Sequence, residues 1–308
     1  MVKVINHDVR VVDGSTIYMP AWFQGESGWG NLKKPNIYTA DAVQQYPCGT
    51  RFVEGDRWFR YARYLGSPAT YATTAITATD GDDIMGKFLM QGAYQQDYAD
   101  SLVVRHVAGE TSSWIGTTVS TDRSDDFYSG GFVNGKDTAP ADARHFSRRI
   151  VAHNYDAAKT VGGTAYTYVS ELQLDQPITN SKTSMAVTVM PNCWKRILWY
   201  SDTASAQYYS AMGACMVNDP TATYFVWLQT HGPMACHHVA NANVGASNFE
   251  MVYYILGDGS VQGIDSSTDT YGIGEGQFQI AGRILSNTII EGATGADEGL
   301  PILWIELE

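Results

Sequence analysis

The sequence has few charged residues, and those it has are mostly acidic. Asp, Glu, Lys and Arg make up 17% of the 308 residues, below the roughly 25% that is usual for soluble chains. Asp and Glu number 32 against 20 for Lys and Arg, which gives a formal net charge of -12. Because binding to phosphate backbones requires a cationic surface, we expect no direct nucleic-acid partner.

Long apolar runs and paired cysteines are also missing. No stretch approaches the roughly 18 apolar residues of a membrane span, and the opening MVKVINHDVRVVDGST lacks the apolar core of a secretory signal. We therefore expect a cytosolic start and no membrane partner. The four cysteines form no CxxC pair, which favours buried apolar cysteines over a disulfide framework.

The common catalytic motifs are absent as well. The chain contains no GxSxG, no HExxH and no glycine-rich phosphate loop followed by lysine. These absences argue against the most frequent hydrolase, zinc-protease and nucleotidase classes. We therefore predict a protein that is not an enzyme and uses no cofactor.

The residues that are plentiful are typical of β-sheets and turns. The chain has 30 Gly and 19 Tyr, and apolar residues alternate with polar ones in TSMAVTVM, as in a half-buried strand. Similar strand signals occur in YFVWLQTHGP, NFEMVYYIL, GQFQIAGRIL and LPILWIEL. Helical periodicity is limited to YDAAKT and ASAQYYSAM. We predict an all-β protein with a sandwich, jelly-roll-like or barrel-like core and little helix.

The composition changes near residue 45. Residues 1–45 mix short apolar pairs with Gly-Trp-Gly and Lys-Lys-Pro-Asn, which indicates an extended N-terminal arm that lies over a surface. Residues 46–308 form the predicted β-rich body. This body is expected to be one unit or two, divided in the second case into 46–160 and 161–308.

Two groups of residues have side chains of the type that bind metals. Imidazole and thiolate are zinc ligands, and the zinc candidates are His231, Cys236 and His238. Acidic loops can hold a hard cation such as calcium, and the candidates in TDGDD are Asp80, Asp82 and Asp83. Neither group has a specific motif, since the first lacks a spaced second pair and the second fails the EF-hand pattern at Ile84. Hydrogen-bonded histidines and a solvated loop are the favoured interpretations.

The stretch YPCGTRFVEGDRWFRYARYLG, residues 46–66, predicts two strands joined by a short glycine-containing turn. Alternation places Phe59 and Tyr61 on one face and Trp58 and Arg60 on the other. Arginine and aromatic residues are enriched where proteins contact one another. We interpret the arginines as partners for acidic groups of the same or a neighbouring subunit. The candidate interface residues are Arg51, Arg57, Trp58, Phe59, Arg60 and Tyr61.

This stretch also resembles a YP-x-GT-R…G-D-R-x-F-R-Y pattern of structural proteins encoded beside the capsid genes of tailed phages. YFVWLQTHGP and the closing AGRILSNTIIEG…LPILWIEL are similar to later parts of the same pattern. Together the three segments cover about a fifth of the chain. The resemblance implies a virion protein, assembled in the host cytoplasm, that decorates or cements a capsid.

The partners implied by this resemblance are coat-protein subunits and further copies of the chain, in a dimer or trimer. A major coat protein that forms the shell is one alternative. A second is a carbohydrate-binding or receptor-binding β-protein, because 8 Trp and 19 Tyr are available to stack on sugars.

Overall fold

The structure is a computed structural model. It describes residues 9–20, 33–66, 84–91, 102–104, 114–118, 127–137, 145–156, 159–161, 164–166, 169–176, 185–199, 210–237, 252–256, 259–263, 279–286 and 302–308. In these ranges the regular secondary structure is antiparallel strand, apart from a 3-10 turn at Cys193–Lys195. The prediction of an all-β fold is therefore confirmed.

The larger of two main sheets has twelve strands. Nine of them follow one another in the order β1 (Val9–Val12), β2 (Ser15–Tyr18), β3 (Arg51–Glu54), β4 (Arg57–Arg63), β16 (Phe225–Ala235), β20 (Ile302–Glu306), β19 (Ile280–Ser286), β17 (Val252–Ile255) and β18 (Val261–Gly263). The other three are β5 (Phe88–Gln91), β14 (Ile197–Leu198) and β15 (Ala211–Cys215). This large sheet is open, and β16 is its central strand because it pairs with β4, β15 and β20.

The second set of strands forms a six-stranded closed barrel. Its strands, in barrel order, are β12 (Val169–Leu174), β7 (Trp114–Thr118), β6 (Leu102–Val104), β13 (Met185–Met190), β8 (Phe132–Asp137) and β9 (His145–Asp156). Val133, Ile150, Leu172 and Val189 form its buried core. β10 (Lys159–Val161) and β11 (Thr164–Tyr166) pair with each other as a two-stranded antiparallel sheet.

The chain forms two compact units from these strands. The barrel strands lie within Ala93–Cys193, and the large sheet is assembled from Asp8–Met19, Trp29–Gly92 and Trp194–Glu308. The large-sheet unit thus combines segments from both ends of the chain. The linear divisions at residues 45 and 160 stay predictions.

The described part of the N-terminal region is hydrogen-bonded into the large sheet. β1 and β2 form a hairpin whose turn residues, Asp13 and Gly14, both have positive φ, and β2 pairs with β3. The backbone of Asp41 exchanges two hydrogen bonds with that of Phe225. Residues 9–20 and 33–45 are therefore held against the strands that carry the candidate interface.

A cluster of aromatic rings forms the core on one face of the large sheet. Trp227 is in edge or tilted contact with the rings of Tyr46, Phe52 and Tyr61, at centroid distances of 5.0 to 5.7 Å. Phe52 also contacts Phe59 on the neighbouring strand. Such rings bury large apolar areas and gain further from edge-to-face geometry. This cluster joins side chains of β3, β4 and β16 in one apolar core.

One of the two helical candidates is wrong. Tyr155 and Asp156 of YDAAKT end β9, and Lys159 begins β10, because pairing to neighbouring strands outweighs weak local helix propensity. In ASAQYYSAM, residues 204–209 lie outside the described part, and Ala211 and Met212 belong to β15. No helix among the described residues is long and apolar enough to cross a membrane.

Candidate functional site

The candidate interface is a tight hairpin, as its sequence predicts. β3 and β4 pair from Arg51↔Arg60 to Glu54↔Arg57 around a two-residue loop, Gly55-Asp56. Gly55 has φ +58, a conformation that favours glycine. Glu54 at the end of β3 forms ion pairs with Lys34 and Arg57, which fix the loop to the preceding segment.

The two faces of β4 have different surroundings. Phe59 and Tyr61 are 0% exposed and belong to the aromatic core. Their side chains therefore pack inside this chain and cannot contact a partner. Trp58 and Arg60 are half-buried on the opposite face, together with Arg51, which lies opposite Arg60. The surface open to a partner therefore includes Arg51, Trp58 and Arg60.

A continuous row of side chains crosses this half-buried face, and we call it the stripe. It consists of Tyr18, Arg51, Trp58, His231 and Trp304, from the adjacent strands β2, β3, β4, β16 and β20. The Arg51 guanidinium carbon lies 4.3 Å from the Tyr18 ring centroid and 5.2 Å from that of Trp58.

The second half of the stripe consists of ring contacts. Trp58 stacks on His231 at 4.4 Å with an interplanar angle of 28°. His231 meets Trp304 edge to face at 5.5 Å. All five side chains of the stripe are half-buried, so the stripe combines packed rings with access to solvent.

Two of the candidate arginines are paired within the chain. Arg57 contacts Glu54 and donates a hydrogen bond of 3.3 Å to the Tyr38 hydroxyl. Arg60 pairs with Glu308 and donates to the carbonyl of Gly49 at 2.9 Å. Arg51 differs, because its contacts within the described residues are the two aromatic rings.

Two carboxyl groups near the hairpin have pKa values shifted in opposite directions. The hydrogen bond from Lys34 lowers the pKa of Glu54, and the charge of Arg57 adds to this effect. Burial raises the pKa of Asp41, although the Tyr61 hydroxyl donates a hydrogen bond of 2.8 Å to it. The ionised form is thus stabilised at Glu54 and destabilised at Asp41.

The structure describes two of the metal candidates, His231 and Cys236. His231 belongs to the stripe and stacks on Trp58, while Cys236 is fully buried, and burial raises the pKa of its thiol to about 12. His238, Asp80, Asp82 and Asp83 lie outside the described residues. In the described ranges no three His, Cys, Asp or Glu side chains are close enough to share an ion.

Tyr18 and Trp304 belong to the stripe but were not predicted as site residues from the sequence. Tyr18 lies directly opposite Arg51 in the sheet, and the signal for its strand was Asp13-Gly14, a dipeptide typical of hairpin turns. Trp304 was assigned to a strand correctly. Its place beside His231 depends on pairing between strands about 70 residues apart in sequence, which no local pattern specifies.

No protein-family model matches the chain, and neither a curated protein nor a solved structure does.

Proposed function

We propose that this protein is a non-enzymatic structural component of a virus particle, which binds coat subunits and stabilises the capsid as a decoration or cement protein. It acts as a dimer or trimer, and the stripe is the surface that contacts the coat subunits. The location that follows is the virion, assembled in the host cytoplasm.

The observation that supports this proposal most is where the three phage-like segments lie. YPCGTRFVEGDRWFRYARY includes β3 and β4, YFVWLQTHGP includes most of β16, and the closing segment includes most of β19 and all of β20. These five strands are consecutive neighbours in the large sheet, in the order β3, β4, β16, β20 and β19. The resemblance therefore maps onto one continuous part of the fold rather than onto scattered patches.

The chemistry of the stripe also favours a protein partner. Trp, Tyr and Arg are the residue types that contribute most at protein interfaces, particularly where they are packed but reachable. Contacts with neighbours in the sheet hold Tyr18, Arg51, Trp58 and Trp304 in place. Because these side chains are already ordered, binding costs less conformational entropy.

The geometry favours a carbohydrate ligand less. A sugar stacks on a free face of an aromatic ring, but Trp58 has Arg51 on the β3 side and His231 on the β16 side. The ring edge of Trp58 remains for contact, which suits an apolar side chain better than a pyranose ring.

Quantitative mass spectrometry of particles from the native source, fractionated on a density gradient, tests the proposal. We expect this chain to band with the major coat protein, at a fixed ratio below one copy per coat subunit. A chain that is itself the most abundant shell protein would indicate a major coat protein. Absence from the particle fractions would contradict the proposal.

A further inference from the structure

We infer that Arg51 is the recognition point of the stripe for a carboxylate of the partner protein, supplied by an Asp or Glu side chain. This inference rests on the proposed function for the identity of the partner. Its chemical content, a carboxylate bound by Arg51, can be tested without any virus particle.

Two aromatic rings contact the Arg51 guanidinium. The rings of Tyr18 and Trp58 come from β2 and β4, the two strands that flank β3, and both lie within cation–π distance of the guanidinium. An aromatic ring is not a carboxylate-like acceptor, so these contacts do not replace the fork of N–H donors that matches a carboxylate.

Within the part of the chain that the structure describes, these donors have no acceptor. Among the described residues the Arg51 side chain forms no ion pair and no hydrogen bond, although Arg57 and Arg60 on the next strand each pair with a glutamate. The chain has 32 acidic residues for 20 basic ones. An arginine that is ordered, half-buried and unpaired in so acidic a protein fits an acceptor supplied from outside.

The net charge of the chain and the rings near Arg51 favour one kind of acceptor. A phosphate-rich polymer would be repelled by the net charge of -12 at all but short range. A single carboxylate presented on a protein needs only one local donor fork, and the rings of Trp58, His231 and Trp304 beside it offer apolar contact to the neighbouring partner residues. A protein segment with an acidic residue next to apolar ones therefore fits this surface best.

Peptide binding provides the first test. The probe is an acetylated hexapeptide that alternates glutamate and leucine, compared with its glutamine counterpart, and binding is followed by tryptophan fluorescence at low ionic strength. We expect the glutamate peptide to bind the wild type at least about fivefold more tightly than the glutamine peptide. This preference is expected to disappear in Arg51→Ala and to weaken in Arg51→Lys, which keeps the charge without the planar fork.

A matched control is Arg63→Ala. Arg63 is an exposed arginine at the end of β4, on the opposite face from Arg51, with its guanidinium carbon 5.9 Å from the Phe225 ring centroid. We expect it to retain the full preference. An equal preference in wild type and folded Arg51→Ala would overturn the inference. If Arg51→Ala does not fold, an equal preference for the glutamate peptide in wild type and Arg51→Lys would overturn the inference instead. Full competition by millimolar inorganic phosphate would also overturn it, since the acceptor would then be phosphate.

Cosedimentation with particles from the native source separates the two proposals. If wild type, Arg51→Ala and Arg51→Lys all sediment equally with particles, the inference fails and the proposed function stands. If wild type binds no particles, the proposed function fails, and the peptide experiment alone decides whether Arg51 binds a carboxylate.

Discussion

Gly232, in the central strand β16, has a conformation and surroundings that exclude a side chain. Its φ is +93, and a Cβ at this position would lie 2.3 Å from the carbonyl oxygen of Asp56 in the hairpin loop. At this point the backbone of the hairpin loop therefore lies directly against the backbone of β16. Gly55, in the loop itself, has φ +58 but open space around it.

These two glycines make a matched pair of substitutions. We expect Gly55→Ala to lower the free energy of unfolding by about 1 kcal/mol, since the cost is conformational alone. Gly232→Ala is expected to cost about 3 kcal/mol or more, because it adds a backbone clash to the same kind of strain. Urea denaturation followed by tryptophan fluorescence measures both. Equal costs would contradict the close approach of the hairpin to β16.

Glu54 and Asp41 give opposite predictions for the dependence of stability on pH. The folded-state pKa of Glu54 is lowered from its usual value near 4.5, so its contribution is present above that value and is lost as pH falls through the folded pKa. The folded-state pKa of Asp41 is raised from 3.8, so its ionised form costs stability above that value. The cost disappears as the carboxyl is protonated.

We expect Glu54→Gln to be less stable than wild type at pH 7, with a difference that shrinks towards pH 3. Asp41→Asn keeps an oxygen that can accept the Tyr61 hydrogen bond and is never ionised. It is therefore expected to match or exceed wild type at pH 7 and to lose this advantage in acid. Thermal unfolding from pH 3 to pH 7 measures both differences. Parallel curves for the two variants would refute the assigned pKa directions.

At the scale of the element, alternation along β4 gives adjacent side chains different degrees of burial. Phe59 is fully buried and Trp58 is half-buried, although the two residues are adjacent. Alternation in RWFRYAR predicted correctly which residues share a face. It could not assign one face to the core and the other to the surface, because both carry aromatic rings and the answer depends on β16 and the loop before β3.

Alanine at these two positions tests this difference in burial. We expect Phe59→Ala to cost about 3–5 kcal/mol of stability, as is usual for a buried aromatic ring. Trp58→Ala is expected to cost about 1–2 kcal/mol and to leave the sheet folded, because its ring is half-buried. Under the proposed function, Trp58→Ala also weakens particle binding. A folded Trp58→Ala protein with normal particle binding would remove Trp58 from the contact surface.

The bulge in β16 was not predicted from the sequence. The register with β4 shifts between Gln229 and His231, and this shift places His231 beside Trp58 in the stripe. The buried Gln229 side chain donates hydrogen bonds to the carbonyls of His231 and Pro233, at 3.1 and 3.0 Å. The bulge is thus stabilised by one amide.

We expect Gln229→Leu to lower stability by about 2–3 kcal/mol, because two carbonyl acceptors lose their donor. Thr230→Val serves as the control, since its hydroxyl makes a longer hydrogen bond of 3.4 Å to the Trp58 carbonyl, and we expect it to cost less than about 1 kcal/mol. Chemical denaturation compares the two. A smaller effect for Gln229→Leu than for Thr230→Val would contradict this role of the amide.

At the scale of the whole molecule, local patterns predicted the strands better than their arrangement. The segments around Met185–Met190, Phe225–Ala235 and Ile302–Glu306 were all recognised as strands. The neighbours of each strand were not, because β4 pairs with β16 and β16 with β20 across long stretches of chain. Two of the five stripe residues, Arg51 and Trp58, were therefore predicted from the hairpin, and the position of the other three beside them required the sheet.

The claim that the stripe holds this protein on a virus particle is tested most directly by hydroxyl-radical footprinting of the free and the particle-bound protein. We expect oxidation of Trp58 and Trp304 to fall several-fold on particles, while Tyr38, which is 52% exposed outside the stripe, reacts equally in both samples. Unchanged oxidation of both tryptophans on particles, or no chain on particles at all, would contradict the claim.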